Sequence, residues 1–288
     1  MFWGRLAARL AGVPVVTSAL HSTGGPDRVE RIKRWLTPCT NAFVAVADKH
    51  RRYLVREERF PADRVATIRN GVATVRFRPG TASRSLRSDH GIPPRAPLVG
   101  TVGALRHEKN HRMFVASARR VLEAFPQARF VIVGDGPERA SIERSADRLG
   151  IGRHGYLLGT RHDIPEILSC LDVFVLSSYI EASPVAIPEA MACGFSVVAT
   201  RVGSVEESVR ESTTGTLVPL EVDRAMATGI ERLLADPNRA RAWGAAGRAA
   251  VVKNASLTTI VRGYEALIER IDAQKCARSA RTCRAIRC

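Results

Sequence analysis

Short apolar runs alternate with amphipathic stretches over most of the chain. Such a pattern predicts repeated βα units and a parallel sheet. Strands are predicted at Pro97 to Val102, Ala128 to Val133, Tyr156 to Leu158, Val173 to Ser177, Val197 to Thr200 and Gly215 to Val218. Between and after them, apolar spacing of three and four predicts helices at Asn110 to Phe125, Glu138 to Leu149, Ile164 to Cys170, Pro188 to Cys193, Val205 to Val209, Arg224 to Leu234 and Asn238 to Val252. Gly150 after Leu149 and Gly194 after Cys193 read as helix stops.

A shorter α/β piece precedes this unit, with strands predicted at Val13 to Thr17, Ala42 to Val46 and Val65 to Ile68 and helices at Trp3 to Leu10 and Lys49 to Val55. Between the two pieces, Arg78 to Arg95 is rich in Pro, Gly, Ser and Arg, the composition of a linker. The expected division is a partial amino-terminal domain at 1–78, a linker at 79–92, a ligand-binding domain at 93–272 and a disordered basic tail at 273–288. A length of 288 residues suits two modest domains.

Composition narrows the class only slightly. Hydrophobic residues make up 45% and charged residues 25%, which fits a folded globular chain. No apolar run reaches the roughly 18 to 20 residues of a spanning helix, and the opening residues read as a helix and a strand, not as a signal peptide. The six cysteines, Cys39, Cys170, Cys193, Cys276, Cys283 and Cys288, have no paired or C-x-x-C spacing, so neither a disulfide framework nor a zinc site is indicated. A reducing cytoplasm is the expected location. The net charge of +16 favours polyanionic, membrane-surface or phosphorylated partners; five of the basic residues, Lys275, Arg278, Arg281, Arg284 and Arg287, lie after the last acid, Asp272. Nucleic acid is not an expected partner, because the charge comes without an aromatic platform or a helix-turn-helix pattern.

The chemistry concentrates in Val173 to Thr200, read as strand, loop, helix, strand. Glu181 falls in the loop and Glu189, eight residues on, in the first helical turn, so the two share no helical face. Both lie where the carboxyl end of a parallel strand meets a helix start, the place where open α/β sheets bind ligands. Pro188 suits the first helical position, and free amides there attract phosphate. A carboxylate can accept two hydrogen bonds from a vicinal diol such as a ribose or a hexose offers. Taken alone, a glutamate at a helix start is equally a favourable dipole partner.

The E-x7-E pattern lies inside EASPVAIPEAMACGFSVVAT and is accompanied by RNGV at Arg69 to Val72, VGALRHEKNH at Val102 to His111 and FVIVGDGPER at Phe130 to Arg139. With these motifs, in this order, the chain resembles glycosyltransferase family 4 from about Leu6 to Ile271. The resemblance implies two Rossmann-like domains of the GT-B type, the amino-terminal one incomplete, since family members usually begin with a strand and a glycine-rich turn well before the position of Leu6. It implies a retaining transferase that moves a hexosyl group from a nucleotide-diphosphate sugar to an unidentified acceptor, a glycan, a lipid-linked species or a small molecule, as in cell-envelope glycan synthesis. The rival reading is a shortened remnant that binds nucleotide sugar without transferring it.

By the resemblance, Glu189 holds the ribose and Glu181 the hydroxyls of the donor sugar, with the backbone of Ala182, Ser183, Pro184 and Val185 near phosphates and sugar. Arg106 and Lys109, after the strand ending at Val102, would stabilise the departing diphosphate. Many relatives carry Arg directly after Gly103, where this chain has Ala104. The chain has no D-x-D, so no metal and no cofactor are expected, and these cations carry the charge compensation. Gly134 and Gly136 would border the donor cleft, although G-x-G is also a common tight turn. Thr160 and Arg161 would face the base, and His21, in LHSTGG, would reach the sugar from the amino-terminal domain. Arg5, Arg9, Arg28, Arg31, Lys33 and Arg34 are read either as a face for a lipid-linked acceptor, with the protein peripheral at the inner membrane face, or as a solvated basic surface.

Overall fold

In the computed structural model, which describes residues 2–21, 36–80 and 84–285, the chain forms two α/β units. One comprises Met1–Gly71 with Leu257–Cys288, the other Val72–Ser256. The expected positions Arg28, Arg31, Lys33, Arg34 and Arg287 lie outside the described residues.

The first unit carries a parallel sheet of β1 (Thr17–Leu20), β2 (Ala42–Ala45) and β3 (Val65–Thr67), in that order among the described residues. Helix α1 (Phe2–Leu10) precedes it, and α2 (Asp48–Arg56) follows β2. β2 is buried throughout. Its alternate residues face two ways, as strand geometry requires. Phe43 and Ala45 pack with Leu54 and Val65, while Ala42 and Val44 pack with Leu267 and Ile271. The first strand starts at Thr17 and not at Val13, because Pro14 has no N–H to give a ladder and the Val16 N–H is taken by Asn41 Oδ1 at 2.8 Å.

The second unit has a six-stranded parallel sheet. Its strands are β4 (Leu98–Val102), β5 (Arg129–Val133), β6 (Gly155–Leu157), β7 (Val173–Leu176), β8 (Val197–Thr200) and β9 (Gly215–Val218), ordered β6-β5-β4-β7-β8-β9. β7 and β8 are buried along their whole length, and β4 and β5 nearly so, which is why they read as continuous apolar runs. Val99, Phe130, Ile132, Val175 and Val198 face a layer with α4 (His111–Ala124) and α9 (Asp223–Ala235). Leu98, Val131, Phe174, Leu176 and Val197 face the opposite layer, with α6 (Ile164–Leu168), α7 (Ala186–Ala192) and α10 (Pro237–Asn254). α3 (Arg84–Asp89), α5 (Arg139–Arg148) and α8 (Val205–Ser208) complete the unit. Parallel sheets flanked by helices are what the sequence pattern predicted, and two such units are what the family resemblance implied.

Two expected boundaries are corrected. Residues 79–92 are not a plain linker: α3 lies within them, and Leu86 and Ile92 are buried with Val72 and Phe77 in the second unit's core. The helix α11 (Leu257–Ala285) belongs to the first unit and is helical through most of the stretch expected to be a disordered tail. Tyr264, Leu267 and Ile271 form its anchoring stripe, and beyond them the Ala, Lys, Gln and Arg residues are good helix formers even without apolar periodicity. Lys275 adds a hydrogen bond to Asn41 Oδ1 at 3.3 Å.

A fragment spanning residues 72–256 is therefore expected to melt cooperatively and at a higher temperature than a fragment of 93–272. The latter loses Val72, Phe77, Leu86 and Ile92, each contributing about 1.5 to 3 kcal/mol of burial, and leaves Leu267 and Ile271 without their packing partners. Equal melting temperatures, followed by circular dichroism, would contradict this division of the core.

Candidate functional site

The strand order places the site. β4 and β7 are parallel neighbours, yet the chain leaves β4 toward β5 on one side and β7 toward β8 on the other. Loops leaving such a pair diverge and open a crevice at the carboxyl ends of the strands. The two loops here are Gly103 to Asn110 and Ser177 to Val185. Of the residues singled out by the sequence, they hold Arg106, Lys109, Glu181 and Ala182 to Val185.

Lys109 and Glu181 meet in this crevice, Nζ to Oε1, at 2.6 Å. The lysine side chain is 26% exposed and the glutamate 7%. The same oxygen, Oε1, also accepts a hydrogen bond from the Ser178 hydroxyl at 2.7 Å. Both loops are fixed at the backbone. Tyr179 N–H donates to the Glu108 carbonyl at 2.8 Å, Ser177 Oγ to the Lys109 carbonyl at 3.1 Å, and Thr200 Oγ1 to the Ser178 carbonyl at 2.7 Å. Behind Glu181, Ser204 N–H donates to the Glu181 carbonyl and the Ser204 hydroxyl to the Ala182 carbonyl. Gly203 has φ +50°, and a Cβ there would lie 1.8 Å from the Glu181 carbonyl oxygen, so no other residue fits without moving Glu181.

Glu189 stands in the first turn of α7, which starts at Ala186, so that Pro188 is the third helical residue and not the first. α7 is held from behind by α10, whose Arg248 donates to the Ala192 carbonyl at the helix end. The Glu189 carboxyl makes no side-chain hydrogen bond among the described residues. Burial pushes its pKa up to about 7, and the Arg76 charge pulls in the opposite direction without offsetting it. Arg76 itself donates to the His162 carbonyl at 2.8 Å.

Other expected residues are distributed less tightly. Arg106 is 66% exposed, 4.0 Å from Glu108, and lines a cavity of about 40 Å³ with Arg112, His111, Glu138 and Tyr179 that contains neither Lys109 nor Glu181. Between Ala182 and Val185 the residues that carry a backbone N–H are Ala182, Ser183 and Val185, since Pro184 has none. Gly134 has a close-approach role: its Cβ would lie 2.0 Å from the Gly103 carbonyl, so the β4 and β5 loops can touch there only through glycine. Gly136 abuts the Leu105 carbonyl in the same way. Arg161 forms a two-pronged pair with Asp163 at 2.6 and 2.8 Å, and Thr160 is exposed. His21 is exposed at the end of β1 in the first unit.

Sequence reading missed Ser178, Arg76, Gly203 and His111. Ser178 carried a weak signal, a hydroxyl three residues before Glu181 at a strand end. The His111 Nε2 lies 3.2 Å from the Ala104 carbonyl and its Nδ1 is buried without a partner among the described residues. Burial holds its pKa down at about 4; the Ala104 carbonyl opposes the fall and the Lys109 charge adds to it.

Because the folded protein raises the Glu189 pKa from 4.5 to about 7, it holds more protons than the unfolded chain within that window. Stability contributed by protonated Glu189 is thus present at low pH and lost as pH rises through about 7. Glu189→Gln should remove this loss. The melting-temperature difference, variant minus wild type, should grow from near zero at pH 4.5 to a plateau above pH 7, worth about 1 to 3 kcal/mol there. His111 slopes the other way from about pH 4 to its unfolded value, but it is common to both proteins and cancels in the difference. A difference independent of pH would show that the carboxyl is not desolvated.

Residues 83–250 match the family described as glycosyl transferases group 1, and residues 1–76 match Glycosyltransferase Family 4. The chain is 30% identical over 94% of its length to an alpha-maltose-1-phosphate synthase of Mycolicibacterium smegmatis, of which it spans 76%. It is also 30% identical over 75% of its length to a UDP-Gal:alpha-D-GlcNAc-diphosphoundecaprenol alpha-1,3-galactosyltransferase of Escherichia coli, of which it spans 59%. Among solved structures, Anabaena HepE in complex with UDP and glucose superposes with a TM-score of 0.82 at 21% identity, covering 92% of this chain and 74% of that one. Sucrose-phosphate synthase from Thermosynechococcus elongatus gives 0.79 at 24% identity, covering 94% and 72%. With the switch-point loops and both glutamates inside the matched segment, the chain belongs to the group 1 glycosyl transferases.

Proposed function

We propose that the protein is a retaining glycosyltransferase that moves a hexosyl group from a nucleotide-diphosphate sugar to an acceptor, with protein cations and no metal compensating the diphosphate. The observation that carries this reading is the Lys109–Glu181 pair at the switch point, with Glu189 at the start of the adjoining helix. Lys109 supplies positive charge where leaving oxygens become negative, and a fixed cation in a partly desolvated crevice favours the charge-separated transition state over the ground state. Glu181 accepts hydroxyls of the sugar. Glu189, lacking a side-chain hydrogen bond among the described residues, accepts the vicinal diol of the ribose. The amides of Ala182, Ser183 and Val185 face phosphate and sugar, Thr160 and Arg161 the base. Arg106, exposed and apart from the pair, has a secondary part.

For the acceptor, a lipid-linked species at a membrane surface is supported by the +16 net charge and by the diphosphoundecaprenol-linked substrate in the name of the E. coli relative. No helix among the described residues is long and apolar enough to cross a membrane.

Calorimetric titration with UDP, ADP and GDP, followed by separate assays of hydrolysis and transfer from the corresponding nucleotide sugars, tests the reading. At least one nucleoside diphosphate should bind, and Glu189→Ala should weaken it by about 1.5 to 3 kcal/mol, the worth of a charged hydrogen-bond partner. Affinity should rise with pH through about 7, because only ionised Glu189 offers both oxygens as acceptors. Transfer should persist in EDTA. Binding of none of the three would sink the assignment; hydrolysis or binding without transfer to any acceptor would favour the remnant that only holds the donor, and rescue of an EDTA-inactivated enzyme by Mn²⁺ would remove the metal-free step.

A further inference from the structure

The pairing of Lys109 with Glu181 raises a question of charge. In the proposed reaction these two groups serve different parts of the donor, the lysine its diphosphate and the glutamate its sugar, yet here they satisfy each other at 2.6 Å. Resting on that reading, we infer that the ion pair is a latch which the diphosphate opens, so that capture of the diphosphate makes Glu181 available to the sugar.

Three features support a latch. First, the shared oxygen is already crowded: Glu181 Oε1 takes both the Lys109 ammonium and the Ser178 hydroxyl. Second, the backbones at both ends are fixed, Lys109 through its carbonyl to Ser177 and Glu181 through its carbonyl to Ser204 against Gly203. What remains free to move is the lysine stem, four methylenes long with a 26% exposed side chain. Third, the carboxylate is only 7% exposed, so removing its cation without compensation leaves a charge in a poorly solvated place. A neutral sugar hydroxyl cannot replace an ammonium there. A diphosphate can, since it draws the ammonium away while the incoming sugar donates hydroxyl hydrogens to the vacated lone pair. Ser178 keeps hold of Oε1 throughout and preserves the orientation of the carboxylate.

The latch has a consequence that ordinary donor binding lacks. Part of the affinity for the diphosphate is used to open the pair, so Glu181→Gln, which abolishes it, should bind a sugar-free nucleoside diphosphate more tightly than wild type, by about tenfold, the scale of one charge-assisted hydrogen bond. Simple removal of a negative charge near the phosphates would also strengthen binding. A double-mutant cycle separates the two: in a Lys109→Met background the gain from Glu181→Gln should vanish if it acts through the lysine and persist if it is general repulsion.

The experiment is calorimetry on the full chain with UDP, ADP and GDP, using wild type, Glu181→Gln, Lys109→Met and the double variant, each first shown to melt cooperatively. In the wild-type protein alone, free glucose and galactose should bind at least about tenfold more tightly with saturating nucleoside diphosphate than without it, the same coupling measured from the other ligand. This second measurement needs no variant to fold. Equal or weaker nucleoside diphosphate binding by Glu181→Gln, a gain undiminished in the Lys109→Met background, or hexose affinity indifferent to nucleoside diphosphate would each overturn the latch. These results leave the donor-site reading standing as long as Glu189→Ala weakens binding; a wild-type protein that binds none of the three nucleotides overturns both.

Discussion

A carboxylate that is 7% exposed needs a cation, and the pairing of Glu181 with Lys109 meets that need across two loops that are 72 residues apart in sequence. The rest of the second unit can be understood as what brings those two groups together. β4 and β7 must be neighbours, so the chain must reverse its direction of winding between them. These strands and the neighbouring β5 must be buried on both faces to keep the strand ends rigid, which the alternating partition of Val99, Ile132 and Val175 against Leu98, Val131 and Leu176 achieves. Glycine must stand at 203, because any larger residue would displace the Glu181 carbonyl.

The two glutamates of the E-x7-E pattern are not equivalent. Glu181 is held by Lys109 and Ser178, whose ammonium and hydroxyl both donate to its Oε1. Glu189, half-buried and opposed only by the longer-range charge of Arg76, has its pKa pushed up to about 7. One carboxyl is thus neutralised by a partner and the other by a proton in part of the population at neutral pH. Sites that bind ligands often carry such unrelieved desolvation, which costs stability in the free protein and is recovered when a ligand supplies the missing hydrogen bonds.

The first unit is organised around the other end of the chain. Leu267 and Ile271 on α11 cover Ala42 and Val44, so residues that follow the second unit in sequence complete the packing of the unit that precedes it. A cut chosen from sequence at residue 272 would divide this helix, and a start at residue 93 would remove Leu86 and Ile92 from the second unit's core. The boundary read from composition near residue 93 failed for a physical reason. Pro, Gly and Arg in residues 78–95 mark turns, but they say nothing about whether the few apolar residues among them find a core.

By itself the sequence determined the elements of the second unit, because parallel strands buried on both faces must be continuous apolar runs, and all six were legible within a residue or two at each end. It also singled out Glu181, Glu189 and Lys109 as candidates, from motif and local position alone. It placed the first strand four residues early, because propensity favours Val13 to Val16 and does not register that Pro14 lacks a donor and that Asn41 claims the Val16 N–H. Only the tertiary structure decided which of the candidate charges meet. Lys109 reaches Glu181 while Arg106, three residues earlier, turns to another cavity; Ser178 and Gly203 matter only because of what they touch; and the fate of the Glu189 proton depends on burial by α7 and its surroundings. Contact across many residues and desolvation are properties of packed atoms, and a linear pattern encodes neither of them locally.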